Sequence, residues 1–389
     1  LLVLALSAAF AGPMLGRCNA EGGGIHLLGD SSTGKTSLID AACSVWGGAN
    51  FRRSWRATAN GMEGVAAMFN DCLLALDEIS ECDSREVGAI VYALGNGRGK
   101  QRASRTGTAR SVTRWRCFVL SSGERSIATT MLDGGYRAKA GQGVRLLDLP
   151  ASRSFGVYDD LCGFESGAVL SDAIRAASKT HYGIAGRAFL EKLTRDSRNF
   201  SEYLERVKAL EEFAAKNGEG QDKRTAARFA LIGMAGELAT EYGVTEWTEG
   251  AAIDAAAEAF KLWRAQRGEG NDERRQILSA VSDFIERHGD ARFSNAQDNR
   301  LDEPVVRDRA GWWTSDADVG GRAYLFTTGG MREALTGFEF RRALDILQQA
   351  GALEPPSASG ERAKPERIAG RTARVYRIAP NKLEESGVA

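Results

Sequence analysis

A short glycine-containing loop near the amino terminus narrows the folds that this chain can adopt. Residues 29–36 read GDSSTGKT and fit the pattern GxxxxGK[S/T], whose glycines let backbone N–H groups turn inward around phosphate oxygens. The loop follows the apolar run 25–28 and precedes a helical pattern over 37–45, so the positive end of a helix dipole would face a bound anion. The sequence therefore predicts a phosphate-binding loop between a buried strand and a helix.

The residues of this loop have expected parts in binding ATP and Mg²⁺. Lys35 would reach the β- and γ-phosphates and assist catalysis, and Thr36 would be a ligand of Mg²⁺. A chance glycine-rich turn is the alternative, but the flanking strand and helix argue against it. The residues expected to contact the nucleotide are Gly29, Asp30, Ser31, Ser32, Thr33, Gly34, Lys35, Thr36 and Ser37.

A second apolar run, 72–76, ends in two carboxylates. Asp77 and Glu78 follow the phosphate loop by about 40 residues, the order in which nucleotide hydrolases place a metal-binding acid and a water-activating acid. Asp77 would bind Mg²⁺ through its water shell, and Glu78 would orient and polarise the attacking water. A pair of acids, rather than a lone aspartate, favours an enzyme that hydrolyses its nucleotide over repeated cycles.

A third apolar run, 117–120, ends in small polar residues. Ser121 and Ser122 are both candidates for a polar sensor of the γ-phosphate, and we name Ser122 as the catalytic candidate although the sequence hardly distinguishes them. The alternative is an ordinary turn at the end of a strand.

Two arginines flank the next apolar run. Hydrolysis at a subunit interface needs an arginine in trans to stabilise charge on the transferring phosphoryl group. Arg137 and Arg145 are the candidates, with a slight preference for Arg145. A structural ion pair is the alternative for either residue.

The stretch 95–116 carries the strongest local charge. The whole chain balances 51 Lys and Arg against 51 Asp and Glu, which excludes a uniformly basic nucleic-acid binder but not a basic patch. This stretch suits a hairpin that would bind DNA phosphates without sequence preference, and Arg98, Lys100, Arg102 and Arg105 are the expected contacts. A solvated loop, or one that contacts a neighbour's ATP, is the alternative. It contains no acidic residue, and its basic residues are Arg98, Lys100, Arg102, Arg105, Arg110, Arg114 and Arg116.

Four near-continuous apolar runs, which are typical of strands buried on both faces of a parallel sheet, lie at 25–28, 72–76, 117–120 and 144–149. We therefore predict an α/β fold with three parts: a P-loop core over 1–150, a helical lid or bundle over 151–267, and a winged-helix-like domain over 273–380. The last prediction rests on a helix, helix, loop and strand order, and Arg341 and Arg342 of its second helix could meet phosphate. A plain packing module is the alternative.

The first 13 residues, LLVLALSAAFAGP, resemble the apolar centre of a signal peptide. They lack a basic leading segment and are too short to span a bilayer, so we expect a buried helix, in a fragment whose preceding part is missing. Six cysteines without a CxxC pair indicate free thiols in a reducing cytoplasm. Because the apolar start is too short to span a bilayer, we expect no membrane partner.

The ordered motifs GGIHLLGDSSTGKTS, WRATANGMEGVAA, LLALDEI, YALGNGRGKQRA, LSSGE and AGQGVRLLDLP closely resemble the DUF927 family, over about residues 1–185. These are helicase-like P-loop ATPases of prophages, plasmids and other mobile elements. The resemblance implies an AAA+ fold related to the MCM and superfamily 3 helicases, with a hairpin before the sensor strand that touches DNA in a ring channel. It also singles out Arg56, Asn60 and Glu63, which we expect near the nucleotide.

The leading hypothesis is therefore an ATP-driven DNA translocase or helicase that acts as a homo-oligomeric ring, with a hexamer as a candidate size. Its DNA substrate would be single-stranded or forked. A second hypothesis is an ATP-gated DNA-binding regulator or loader without unwinding activity. A third is a remodelling ATPase that acts independently of DNA.

Overall fold

A computed structural model describes the chain outside residues 102–110, 137–142, 215–219, 268–271, 298–305, 307, 317–320, 358–359, 369 and 384–389. The chain divides into two compact units, Leu1–Gly268 and Glu269–Ala389.

The first unit alternates strands and helices and then becomes helical. Its strands are β1 (Gly23–Leu28), β2 (Arg53–Ser54), β3 (Cys72–Asp77), β4 (Cys117–Gly123) and β5 (Leu146–Pro150). Its helices are α1 (Leu2–Arg17), α2 (Lys35–Ser44), α3 (Ala59–Met68), α4 (Ser84–Asn96), α5 (Ile127–Asp133), α6 (Gly167–Thr180), α7 (Ile184–Leu193), α8 (Phe200–Lys208), α9 (Gly220–Glu241) and α10 (Ala251–Arg267).

The strands of the first unit form a parallel sheet. Among the described residues its order is β2-β3-β4-β1-β5, and every pairing is parallel. The predicted parallel sheet is therefore confirmed, and β4 is buried along its whole length because it lies between two other strands. Since parallel strands end at the same edge, the residues after β1, β3 and β4 meet there, where open α/β sheets bind their ligands.

The apolar start of the chain forms the expected buried helix. α1 packs against α9 and against β3, and it approaches the sheet so closely that a Cβ atom at Gly12 would lie 2.4 Å from the backbone of Cys72. The helix is therefore part of the hydrophobic core.

The helical middle shares this core. Phe189, Phe229 and Phe260 are buried in the same cluster as Ile25 and Leu120 of the sheet. Arg228 of α9 is also buried, and its guanidinium donates hydrogen bonds to the carbonyls of Val144 and Gly22, the latter at 3.0 Å. Burial lowers the pKa of Arg228 to about 10. The separate domains predicted over 1–150 and 151–267 stay a prediction.

The second unit is built on a mixed sheet. Its described strands have the order β6-β7-β8-β10-β9, in which β6 and β7 are parallel and the other pairs antiparallel. The two helices and the final strand that the sequence indicated there correspond to α11, α13 and β10, and the other elements were not predicted. The bounds are α11 (Asp272–His288), β6 (Phe293–Asn295), β7 (Gly311–Asp316), β8 (Gly321–Phe326), α12 (Thr328–Ala334), α13 (Phe340–Gln349), β9 (Lys364–Ile368) and β10 (Arg371–Ile378).

All six cysteines lie in the described residues and are free thiols. Burial raises the pKa of Cys117 to about 12 and that of Cys72 to about 11, so these thiols stay protonated at neutral pH. Cys162 is exposed. None of the helices in the described part of the chain is long and apolar enough to cross a membrane.

Candidate nucleotide site and basic arms

The phosphate loop connects β1 to α2 and has the backbone that its glycines require. Gly34 precedes α2 with φ of 104°, a region that L side chains rarely adopt. A Cβ atom at Gly34 would also lie 3.0 Å from both Ser171 and Val157, so both the backbone and the available space favour glycine. The loop can therefore turn its N–H groups toward an anion at the start of α2.

Lys35 lies inside this loop. Its side chain is only 6% exposed, and its ammonium donates to the Gly29 carbonyl at 2.8 Å and to the Asp30 carbonyl. The cation is thus held by backbone oxygens of the loop that would surround the phosphates.

Thr36 and Asp77 meet at the edge of the sheet. The hydroxyl of Thr36 lies 3.4 Å from Asp77 Oδ1, although the residues are far apart in sequence. A hydroxyl and a carboxylate are hard oxygen ligands of the kind that Mg²⁺ prefers beside phosphates. The two residues therefore fit the magnesium site that the sequence predicts.

The structure distinguishes the two serines after β4. The Ser122 hydroxyl donates to Asp77 Oδ1 at 2.6 Å and accepts from the Glu78 backbone N–H at 3.3 Å. Ser121 points into the protein and is fully buried. Ser122 thus lies beside both acids, which is where a γ-phosphate sensor is needed.

Ser121 belongs to a buried hydrogen-bonded chain beneath the site. Trp55 Nε1 donates to the Ser121 hydroxyl at 2.8 Å, and that hydroxyl lies 2.9 Å from His26 Nδ1. His26 Nε2 lies 3.0 Å from the carbonyl of Arg125, which can only accept, so Nε2 carries the proton and Nδ1 accepts from Ser121. Burial lowers the pKa of His26 to about 4, and the ring is neutral at physiological pH.

Glu78 has an unusual backbone conformation. Its φ of 58° and ψ of 87° are uncommon for a residue with a side chain and are typical of functional sites that tolerate strain. Its carboxylate accepts from Ser80 Oγ at 2.7 Å and from the Ser80 backbone N–H at 3.3 Å. These contacts hold the acid at the mouth of the site.

Lys35, Thr36, Glu78 and Ser122 line one cavity of about 740 Å³, and Asp77, which is not among the lining residues, is hydrogen-bonded to Thr36 and Ser122. Phe155, Gly156, Asp172 and Arg175 also line it, and sequence analysis missed them. They follow β5, and the tertiary packing of α6 on α2 brings them to the loop. The full lining is Ser31, Ser32, Thr33, Gly34, Lys35, Thr36, Ser37, Glu78, Ser122, Glu124, Phe155, Gly156, Gly167, Ala168, Ser171, Asp172 and Arg175.

A further arginine that sequence analysis missed bridges two acids at this edge. Arg52 Nη1 lies 2.9 Å from Asp40 Oδ1 and 3.3 Å from Asp77 Oδ2. Burial raises the pKa of Asp40, and the charge of Arg52 opposes that effect. Arg52 comes just before β2, where its sequence neighbours gave no signal of this role.

Of the two arginines expected to act in trans, Arg145 lies in the described part of the chain and is not at this edge. Arg145 immediately precedes β5, and its guanidinium donates to Asn96 Oδ1 at 2.7 and 3.0 Å and lies 4.7 Å from the centre of the Tyr92 ring. It therefore lies at the edge of the sheet opposite the phosphate loop. Arg137 lies outside the described residues.

The ends of the basic segment pair with each other as two antiparallel arms. We define the basic arms as residues 97–101 and 111–116. Gly99 N–H donates to the Thr113 carbonyl at 3.0 Å and Trp115 N–H to the Gly97 carbonyl at 3.0 Å, and Arg98 and Arg114 face each other in an antiparallel bridge.

The arms expose basic side chains at the amino-terminal edge of β4. Arg98, Lys100 and Arg114 are exposed, and Arg116 pairs with Asp71. The other expected DNA contacts, Arg102 and Arg105, lie outside the described residues, as does Arg110. β4 thus has the basic arms at its start and Ser122 at its end.

Glu63 is not where the family resemblance led us to expect it. The described residues that line the cavity include neither Arg56, Asn60 nor Glu63. The Glu63 carboxylate instead accepts a hydrogen bond from the Lys100 backbone N–H at 3.1 Å. The expectation that Glu63 lies near the nucleotide is wrong because α3 directs it toward the basic arms.

The comparisons with known proteins agree with this fold. Residues 1–114 match the family described as "Domain of unknown function (DUF927)", so the chain carries a DUF927 domain there, and the match ends short of the 185 residues that the motifs indicated. No curated protein matches the chain. A solved structure titled "SCCmec type IV Cch - active helicase" is similar with a TM-score of 0.70 and 17% identity, over 99% of this chain and 68% of that one. At this identity the likeness is one of fold.

Proposed function

We propose that the protein is an ATP-hydrolysing DNA translocase or helicase of a mobile genetic element or prophage, acting as an oligomeric ring. The observation that carries this proposal is that Lys35, Thr36, Glu78 and Ser122 line one cavity. Asp77 is hydrogen-bonded to two of these residues, Thr36 and Ser122. The exposed basic arms at the other end of β4 supply a surface for DNA phosphates.

In this proposal, different residues of the site bind ATP, hold the metal ion and activate water. The loop N–H groups and Lys35 bind the phosphates of ATP, while Thr36 and Asp77 hold Mg²⁺. Mg²⁺ held there would supply positive charge that offsets the negative charge of the phosphates. Glu78 orients and polarises the attacking water, and Ser122 donates toward the γ-phosphate.

Two kinds of arginine would stabilise the charge of the transition state. Arg175 lines the cavity of its own subunit and is placed to approach the phosphates, beside Asp172. Arg145 or Arg137 would come from a neighbouring subunit. An arginine in trans explains why such an enzyme works as an oligomer.

The finer assignments of the fold are also part of the proposal. An AAA+ core is supported by the position of the sensor strand β4 between the loop strand β1 and the acidic strand β3. A winged helix is supported by α12 and α13 followed by the β9–β10 hairpin. The structure titled as an active helicase has a similar fold, and that protein's activity comes to this chain only as a proposal.

A second candidate function, an ATP-gated DNA-binding regulator or loader, is favoured by α13. This helix is strongly amphipathic, with Leu344 and Leu347 buried and Arg341 and Arg342 exposed. Exposed arginines on a helix that precedes a hairpin suit phosphate contacts in a winged helix. A regulator would hydrolyse ATP without separating DNA strands.

The test uses the full chain. We expect ATP hydrolysis that single-stranded DNA stimulates. We also expect strand separation on a forked duplex that depends on ATP. Hydrolysis without strand separation at any protein concentration would favour the regulator, and hydrolysis unaffected by DNA would favour a DNA-independent remodelling ATPase. No hydrolysis of ATP would overturn the proposal.

A further inference from the structure

The basic arms are held by one helix and the residues directly after it. Glu63 of α3 contacts the arm 97–101, where its carboxylate accepts a hydrogen bond from the Lys100 backbone N–H at 3.1 Å. Asn70 and Asp71 contact the arm 111–116. Asn70 Oδ1 accepts a hydrogen bond from the Arg116 backbone N–H, and Asp71 Oδ1 accepts one from Arg116 Nε, both at 2.9 Å. One arm is thus hydrogen-bonded to α3 and the other to the residues that directly follow it.

Glu63 is the buried member of this set. It is only 5% exposed, whereas Arg116 is exposed and Asp71 is half-buried. A Cβ atom at Gly99 would lie 2.9 Å from Glu63 Oε2, so the arm approaches the carboxylate with no side chain between them. A buried carboxylate is costly unless it is hydrogen-bonded, and its bonds therefore define one position for the arm.

The segment that leads into α3 is tied to the nucleotide edge of the sheet. β2 pairs with the end of β3, so that Ser54 lies opposite Asp77. Trp55 Nε1 then donates to the Ser121 hydroxyl at 2.8 Å, directly before Ser122. A helix of ten residues covers about 15 Å, so α3 joins the nucleotide edge to the opposite edge of the sheet.

We infer that Glu63 is a positioning residue that couples DNA contact at the basic arms to ATP turnover. The inference rests on the proposed function and gives the WRATANGME motif a physical role. Trp55 fixes the start of the motif to Ser121, directly before Ser122, and Glu63 fixes its far end to the arms. DNA phosphates that pull on Arg98 or Lys100 therefore act on an element bonded to the nucleotide edge.

The experiment compares turnover of ATP by the full chain with and without single-stranded DNA. In Glu63→Ala we expect the ratio of the two rates to fall at least several-fold, while KM for ATP without DNA stays at the wild-type value. Glu63→Gln keeps an acceptor oxygen for the Lys100 N–H, and we expect it to restore most of the ratio. Met68→Ala, at a side chain of the same helix that is 76% exposed, is the control and should leave the ratio unchanged.

The inference and the proposed function fail in different ways. Wild-type stimulation in a folded Glu63→Ala protein would overturn the inference and leave the proposed function intact. A wild-type chain whose turnover DNA does not change would overturn both. If Glu63→Ala does not fold, Gly99→Ala serves instead, because its methyl group would displace the carboxylate; the same loss of ratio is expected, and an unchanged ratio would count against the inference.

Discussion

At the scale of the residue, two side chains of the cavity have separable roles. Lys35 binds phosphate and Glu78 activates water, so removing each should leave a different defect. We expect Lys35→Ala to lose both ATP binding and hydrolysis. Glu78→Gln, which keeps the shape of the side chain, should bind ATP but hydrolyse it roughly 100-fold or more slowly. Nucleotide-binding titrations beside steady-state ATPase assays check this, and full turnover by the Lys35 variant would contradict the assignment.

His26 gives a prediction about stability. Its pKa is about 4 in the folded protein and about 6.5 when unfolded, so between these values the unfolded chain binds a proton that the folded one does not. The free energy of unfolding that this difference in proton binding contributes is constant above about pH 6.5. It decreases progressively as the pH falls toward 4, by about 3 kcal/mol in total.

The measurement is the free energy of unfolding in urea between pH 7 and pH 4. His26→Gln cannot take up this proton, and we expect it to be less stable at pH 7 but to have a shallower fall with decreasing pH. The difference in slope should approach about 1.4 kcal/mol per pH unit. Identical slopes would mean that His26 takes up a proton as readily in the folded protein as in the unfolded chain.

At the scale of the element, the basic arms make a prediction about salt. Replacing Arg98, Lys100 and Arg114 with glutamine should weaken binding of single-stranded DNA and reduce the slope of log K against log salt by about 0.7 for each phosphate that the variant no longer neutralises. The matched control replaces Arg187, Lys192 and Arg195, which are equally exposed, and should bind like the wild type. Fluorescence anisotropy at several salt concentrations measures both, and an unchanged slope in the first variant would remove the arms from the DNA interface.

At the scale of the whole molecule, an arginine in trans predicts complementation between inactive chains. Lys35→Ala keeps its arginine and Arg145→Ala keeps its nucleotide site, so an interface between the two can be complete. If Arg145 acts in trans, an equal mixture should recover up to about a quarter of the wild-type ATPase rate, since that fraction of random interfaces pairs the intact halves. The same mixture with Arg137→Ala tests the other candidate, and the absence of recovery in both would exclude these two arginines.

The phosphate loop, the acid pair and the parallel sheet could be predicted from the residues alone. These are local signals: a loop pattern fixes backbone shape, and a continuous apolar run requires burial on both faces. The buried helix α1 could also be predicted, because its side chains are apolar on every side.

Tertiary structure alone decided which side chains meet. Ser121 and Ser122 are equivalent in sequence, but the alternation of a strand directs one into the core and the other to Asp77. Packing of α6 against α2 brings Arg175 into the cavity from far along the chain, and α3 directs Glu63 to the basic arms instead of the nucleotide. No local pattern encodes these contacts, because they depend on where separate elements pack.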